Sequence, residues 1–242
     1  MPRDTSVCIF FKPPIAGAVK TRLIPQVGSN GAAALAKAFF RDTWDAVASL
    51  EWAIPILASA GLLNPDLLPG PKPITWLQGK GDLGARLERI LGKALEITPL
   101  AIVVGTDSPG MPTRLFHQAH DALQEADAIL GPCDDGGFYL LGLRRYIPGV
   151  LTDISWSEAT TFEQTWQRLI DAGLNPKRLE PWYDVDRPED LDRLQGDIAA
   201  QAIAAPHTAS VLASLPSPGR DNPLPSTDAE TSNARYEGTQ VE

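Results

Sequence analysis

A chain of 242 residues, 43% hydrophobic and 21% charged, has globular composition and enough length for a sizeable core, which excludes a fibrous or wholly disordered protein. Its formal net charge of −9 argues against nucleic acid as a partner, because a phosphate backbone needs a positive face. No apolar stretch approaches the roughly 18–20 residues of a membrane span, and the polar start Met-Pro-Arg-Asp-Thr-Ser precedes an apolar run too short for an export signal. A cytoplasmic enzyme with no membrane partner is therefore expected. Cys8 and Cys133 lie far apart and read as two buried reduced thiols. His117, His120 and His207 have no zinc-type spacing.

Val7–Phe11 is a continuous apolar run with β-branched and aromatic residues, the pattern of a strand covered on both faces. A loop with Pro13, Pro14 and Gly17 follows, and a helix is expected after Gly31, ending near Ser49. Trp52–Ser59 predicts a second strand, 61–73 a surface excursion, and Ile74–Gln78 a short strand. Leu83, Leu87, Ile90, Leu91, Ala94 and Leu95 recur at helical spacing. Leu100–Val104 is the clearest buried strand, and a helix is expected over Thr113–Glu125. Ala128–Leu130 and Phe138–Leu143 read as strands joined by a short turn, the second one antiparallel. Thr160-Thr-Phe-Glu163 has the form of a capping box opening a helix to about Ala172. Pro188 opens a last helix. This alternation predicts an α/β fold with a mostly parallel central sheet and helices on both faces. One domain is expected over 1–204. From Ala205 to Glu242 the sequence turns to Pro, Ser, Thr, Asn and acids, and a disordered low-complexity tail is expected.

In open α/β sheets, ligands bind beyond the carboxyl ends of the strands, beside a topological switch point. Lys12, Lys20 and Arg22 follow the first strand closely, and Gly17 permits close backbone approach, so the loop suits phosphate oxygens. Read alone, it is equally a solvated basic loop, and it lacks the Gly-Lys-Ser/Thr of a Walker loop. Asp107, in Gly105-Thr-Asp-Ser-Pro109, ends the strongest strand and is placed to hold Mg²⁺ or Mn²⁺, although an Asp before Ser-Pro is also an ordinary turn former. In Asp184-Val-Asp186 the carboxylates are read as pointing to opposite sides, so that one faces a metal while the other caps the next helix. Asp135-Gly136-Gly137 is both a hairpin signal and a place where a sugar or acceptor could approach the backbone. Gln78 and Asp82 flank a glycine-rich stretch that could line the nucleotide, with Asp82 equally a helix N-cap. His117 and His120 are read as structural, and Trp156, Trp166 and Trp182 as core or lining residues with core favoured.

The order of these segments resembles the nucleotide-diphospho-sugar transferase superfamily with its Rossmann-like GT-A fold. It is more closely similar to the bacterial glycosyltransferases associated with radical-SAM or selenodomain proteins and with arsenosugar biosynthesis. The resemblance runs over residues from about 5 to 195. It rests on Phe11-Lys-Pro-Pro…Gly17…Lys20-Thr-Arg-Leu23-Ile-Pro25, Gln78…Gly81-Asp-Leu-Gly…Arg86-Leu87 and Gly105-Thr-Asp-Ser-Pro109, and further on Leu130-Gly-Pro…Asp135-Gly-Gly-Phe-Tyr-Leu-Leu-Gly142, Trp156-Ser157 and Asp184-Val-Asp-Arg-Pro-Glu-Asp-Leu191. It implies that Lys12, Gly17, Lys20, Thr21, Arg22, Gln78 and Asp82 bind a nucleotide. It implies also that Asp107 and Asp186 hold the metal, with Lys20 the third catalytic residue, and that Asp135, Gly136 and Gly137 line the acceptor or sugar side. Phe138 stands where Tyr is common and Arg187 where Thr often caps the last helix.

Two chemistries fit. One is transfer of a sugar from a nucleotide-sugar to a small-molecule acceptor. The other joins an NTP to a phosphorylated or phosphonate compound with release of pyrophosphate. The Lys-Thr-Arg-Leu loop is similar to that of 2-phospholactate and molybdenum-cofactor guanylyltransferases, which favours the second, whereas the closer family resemblance favours the first. A non-catalytic nucleotide-binding module is a third reading, weakened by the presence of both Asp107 and Asp186.

Overall fold

The computed structural model describes residues 3–63, 67 and 73–215. Seven strands form one sheet in the order β3-β2-β1-β4-β6-β5-β7: β1 (Thr5–Phe11), β2 (Ala53–Ser59), β3 (Ile74–Leu77), β4 (Leu100–Val104), β5 (Ala128–Pro132), β6 (Phe138–Leu143) and β7 (Pro176–Arg178). Every pairing is parallel except those of β6, which runs antiparallel to both β4 and β5. The short β5–β6 connection leaves no room for a crossover, so β6 must reverse.

Alternation along the central strands decides which layer each residue joins. Val7, Ile9 and Phe11 of β1, with Ile102 and Val104 of β4, face Phe40, Trp44 and Val47 of α1 (Ile24–Ala48) and Leu115, Phe116 and Ala119 of α3 (Thr113–Leu123). Cys8, Ala101 and Val103 point the other way, toward Leu87, Ile90 and Leu91 of α2 (Leu83–Leu95) and Phe162 and Leu169 of α4 (Thr161–Asp171). Neither face of the central strands reaches water, which is why they read as unbroken apolar runs. A third cluster lies beside the sheet, where Leu23, Leu35 and Phe39 meet Tyr183, Val185, and Leu191 and Leu194 of α5 (Pro188–Ala199).

Three local expectations are corrected. The first helix starts seven residues before Gly31: a 3₁₀ turn (Thr21–Leu23) runs into Ile24, and the helix is kinked at Gly28, whose φ is 71°. Thr160 does not cap α4; its hydroxyl accepts from Gln164 Nε2 at 2.8 Å, and the Thr161 hydroxyl instead donates to the Ser155 carbonyl at 2.7 Å. Residues 206–214 are not a disordered tail but a helix, α6 (Pro206–Ser214), packed on α1. Its amino end is held by Asp42 of α1, which accepts from the Thr208 hydroxyl at 2.6 Å and from the His207 and Thr208 amides at 2.9 Å each. Val211, Leu212 and Leu215 then cover the third cluster. The rest of that segment, and most of the 61–73 excursion, lie outside the described residues. Within the described residues no helix is long and apolar enough to cross a membrane.

Candidate active site

From β1 the chain crosses through α1 to β2 on one side, while β4 pairs with β1 on the other. The loops leaving β1 and β4 therefore diverge around a crevice at their carboxyl ends, the switch point of an open α/β sheet. The loop after β1 carries Lys20 and the loop after β4 carries Asp107. The extended segment before α5, threaded beside them by the hydrogen bond from the Val185 amide to the Asp107 carbonyl (2.8 Å), brings Asp186.

Lys20 sits in the left-handed region (φ 45°, ψ 42°), a conformation costing a non-glycine residue about 1–2 kcal/mol. The cost is offset by what the side chain meets. The side chain is 7% exposed, and its ammonium lies 2.6 Å from Asp107 Oδ1, 2.8 Å from Asp186 Oδ1 and 2.8 Å from the Val185 carbonyl. Burial works against that charge, but Asp107 and Asp186 outweigh it and raise the lysine pKa above its ordinary value. Burial likewise opposes ionisation of Asp186, and Lys20, Arg22 and Arg187 overcome it and hold the carboxyl below its ordinary range. With three acceptors around it, Lys20 has no N–H left for a phosphate in this arrangement. The expected phosphate-binding point charge is here the tie between two carboxylates.

Asp184 and Asp186 do not face opposite ways. Residues two apart on an extended segment share a side; Asp186 is joined to Asp107 through the Lys20 ammonium, and Asp184 feels the charge of Asp107. Asp184 accepts from the Ser108 hydroxyl and is pushed up to about 6, first by burial and then by the charge of Asp107. Neither residue caps α5; Asp190 reaches back to the Arg187 and Asp186 amides at 2.8 and 3.0 Å. Burial of Cys133, beside Asp184, raises its thiol pKa, as burial also does for Cys8; both thiols are free.

Two clefts meet here and share Phe10, Thr106 and Asp107. One, the basic cleft, is lined by Lys12, Lys20, Thr21, Arg22 and Asp186. The other, about 320 Å³, is lined by Asp135, Gly137, Asp184, Phe138 and Trp156, with Leu83 and Leu87 beneath. The Phe138 and Trp156 rings pack edge to face at 6.2 Å. Asp135 Oδ1 accepts from the Gly137 amide at 2.9 Å, which shapes the β5–β6 turn. Gly136 (φ 86°) lets that turn press on the segment before α4: a Cβ there would stand 2.0 Å from the Ala159 carbonyl oxygen.

The remaining sequence candidates, and the engaged Lys12 of the basic cleft, are held as follows. Gly17 (φ 80°) turns the first loop without lining either cleft, and Lys12 Nζ donates to the Ala18 carbonyl within that loop at 2.8 Å. Gln78 is buried, donating to the Ala58 carbonyl at 2.9 Å and accepting from Arg86 at 3.4 Å, so its amide is committed to the fold. Asp82 caps α2 by accepting from the Ala85 amide at 2.8 Å. His117 and His120 pack around Trp52 far from the crevice. Asp184, Ser108 and Thr106 were missed as site residues. The period-two rule, applied to Asp184 and Asp186, would have found the first.

The fold and crevice define a class: an α/β domain of the kind that nucleotide-utilising transferases use. Residues 44–158 match a family described as uncharacterized protein conserved in bacteria (DUF2064). A crystal structure from Desulfovibrio desulfuricans G20, of a protein provisionally named a nucleotide-diphospho-sugar transferase, is 30% identical, with a TM-score of 0.80 over 88% of this chain and 95% of that one. The chain shares a family with the Desulfovibrio protein, and over residues 44–158 it is similar to the DUF2064 family. More distant structures share the fold alone. One is a CMP:2-keto-3-deoxy-manno-octonic acid synthetase complexed with CTP (12% identity, TM-score 0.51, 82% and 99% coverage). Another is the 4-diphosphocytidyl-2C-methyl-D-erythritol synthase of Anaerococcus prevotii DSM 20548 (13%, 0.53, 81% and 99%). No curated protein matches the sequence.

Proposed function

We propose that the protein is a metal-dependent glycosyltransferase-like enzyme moving a sugar from a nucleotide-sugar to a small-molecule acceptor. The observation that carries this reading is the position of Asp107, on the shared wall between a basic cleft and an aromatic, carboxylate-bearing one. Phosphates belong in the first, where Lys12 and Arg22 supply charge and Thr21 a hydroxyl; hydroxyl-rich groups belong in the second, with Asp135 as acceptor.

Lys20, Asp107 and Asp186 together carry a formal charge of −1 at the mouth of a cleft meant for anions, which is unfavourable unless a cation joins them. No cluster of three or more His, Cys, Asp or Glu side chains suited to a metal occurs among the described residues. Two half-exposed carboxylates nevertheless suit Mg²⁺ or Mn²⁺, hard ions that take oxygen ligands and complete their shell with water and substrate phosphates. Asp107 and Asp186 would hold the ion, which when bound neutralises charge on phosphoryl oxygens. In the transfer, the acceptor's hydroxyl or amino group loses a proton to solvent as its oxygen or nitrogen bonds to the anomeric carbon, the bond from that carbon to the phosphate oxygen breaks, and a nucleoside diphosphate leaves. Lys20 keeps the two carboxylates ionised and fixed, and Phe138 and Trp156 exclude water from the acceptor side.

Incubation with pooled sugar nucleotides or nucleoside triphosphates, an acceptor panel, and Mg²⁺ or Mn²⁺ tests the reading. Acceptor-dependent release of a nucleoside diphosphate is expected, reduced about 100-fold or more in Asp107→Asn and Asp186→Asn. Release of pyrophosphate from a triphosphate would instead establish nucleotidyl transfer, and tight nucleotide binding without any turnover a binding module.

A further inference from the structure

The aromatic cleft carries a charge signature that limits what can enter it. Its charged lining consists of Asp107, Asp135, Glu158 and Asp184, with no Lys, Arg or His among its described residues. The Lys20 ammonium, which meets Asp107, lines the other cleft and is held by three acceptors. Basic groups on neighbouring elements are engaged outside the lining: Arg193 with Asp134 at 3.0 Å, Arg86 with Gln78 at 3.4 Å, and Arg178 over the Phe162 ring. Even if Asp107 and Asp186 held a divalent ion, Asp135, Glu158 and Asp184 would find no basic side chain among the described lining residues. The rest of the lining is apolar or aromatic: Phe10, Leu83, Leu87, Phe138 and Trp156.

From this geometry we infer that the second substrate, the one occupying the aromatic cleft, is an uncharged or cationic compound bearing hydroxyl or amino groups and an apolar face. It is not a phosphorylated or otherwise anionic one. This rests on the reading of the cleft as the acceptor or sugar side. A phosphate brought into this cleft would lose its hydration and meet repulsion from Asp135, Glu158 and Asp184. A hydroxyl or ammonium gains hydrogen bonds to the same oxygens, and a cation adds the attraction of the aromatic faces. Volume agrees: about 320 Å³ suits a small molecule with one ring.

The test uses three molecules with one skeleton and different charge: 2-phenylethanol, 2-phenylethylamine and 2-phenylethyl phosphate. Each is titrated into the ¹⁵N-labelled full-length protein while the indole N–H signal of Trp156, assigned with Trp156→Phe, is followed. The alcohol and the amine should shift that signal saturably, with the phosphate at least tenfold weaker. In Asp135→Asn/Glu158→Gln the amine should weaken at least threefold and the phosphate gain. Equal or tighter binding of the phosphate overturns the inference, and so does a Trp156 signal that none of the three moves. Parallel titrations with UDP, ADP, GDP, CDP and dTDP, each with Mg²⁺ and read on signals of Thr21 and Arg22, check the nucleotide side separately. If none of UDP, ADP, GDP, CDP and dTDP binds under these conditions while the amine does, the proposed function falls and the selectivity of the cleft stands.

Discussion

Lys20 is where local conformation and chemistry are most tightly joined. Its left-handed backbone turns the ammonium inward onto Asp107 and Asp186. Arg22, two residues on, is exposed and makes no hydrogen bond among the described residues. The two should therefore respond differently to substitution. Arg22→Ala should weaken nucleotide binding about tenfold, measured by calorimetry, with stability unchanged within about 0.5 kcal/mol. Lys20→Met should weaken nucleotide binding and also destabilise the fold by about 1–2 kcal/mol, a buried-pair cost discounted because both carboxylates are half exposed. The pH dependence follows from the shifts. Lys20 is raised on folding, so its stabilisation is complete below the ordinary lysine pKa and is lost as pH rises through the folded value. Asp186 is lowered, so its share is present above the ordinary carboxyl pKa and is lost as pH falls through the folded value. Urea unfolding across pH should show both limbs in the native protein and a flattened alkaline limb in Lys20→Met. An unchanged alkaline limb would mean that the contact with Asp107 and Asp186 does not contribute to stability.

Among the elements, the β5–β6 hairpin matters most to the acceptor side. The turn Asp135-Gly136-Gly137 was legible as a hairpin because Asp-Gly favours the backbone such a turn needs. That it also forms the wall of a cleft was not legible, since its partner, the segment ending at Ala159, meets it only through the fold; the Phe162 amide donates to the Gly136 carbonyl at 2.8 Å. Gly136→Ala combines a positive φ with a contact of 2.0 Å to backbone oxygen, and should cost about 2–4 kcal/mol, read as a lower denaturation midpoint. Gly17→Ala, at a similar φ with nothing within 4 Å, should cost about 1 kcal/mol, so the difference isolates the packing against Ala159.

For the molecule as a whole, α6 changes the meaning of the carboxyl-terminal sequence. A protein ending at Ala205 loses Thr208, which is fully buried, together with Val211, Leu212 and Leu215, and leaves Asp42 without its three donors. It should be less stable than a protein ending at Leu215 by roughly 2–5 kcal/mol, measured by urea denaturation. Equal stability of the two would mean that α6 is not held by these contacts. Composition hid this helix: Pro206, His207, Thr208 and Ser210 have little helix propensity, and its N-cap comes from Asp42, more than 160 residues earlier in the chain.

By itself the sequence determined six of the seven strands, a mostly parallel sheet and the loops at its carboxyl ends, because apolar runs and turn residues act over short distances; the strand order and β7 came only from the structure. It also marked Lys20, Asp107 and Asp186, each at the end of a recognisable element. Only the tertiary structure decided that Lys20 ties the two carboxylates together and that Asp184 joins the crevice. Those outcomes depend on which loops the sheet brings face to face, and partners separated by 76 to 166 residues leave no periodic trace in the chain.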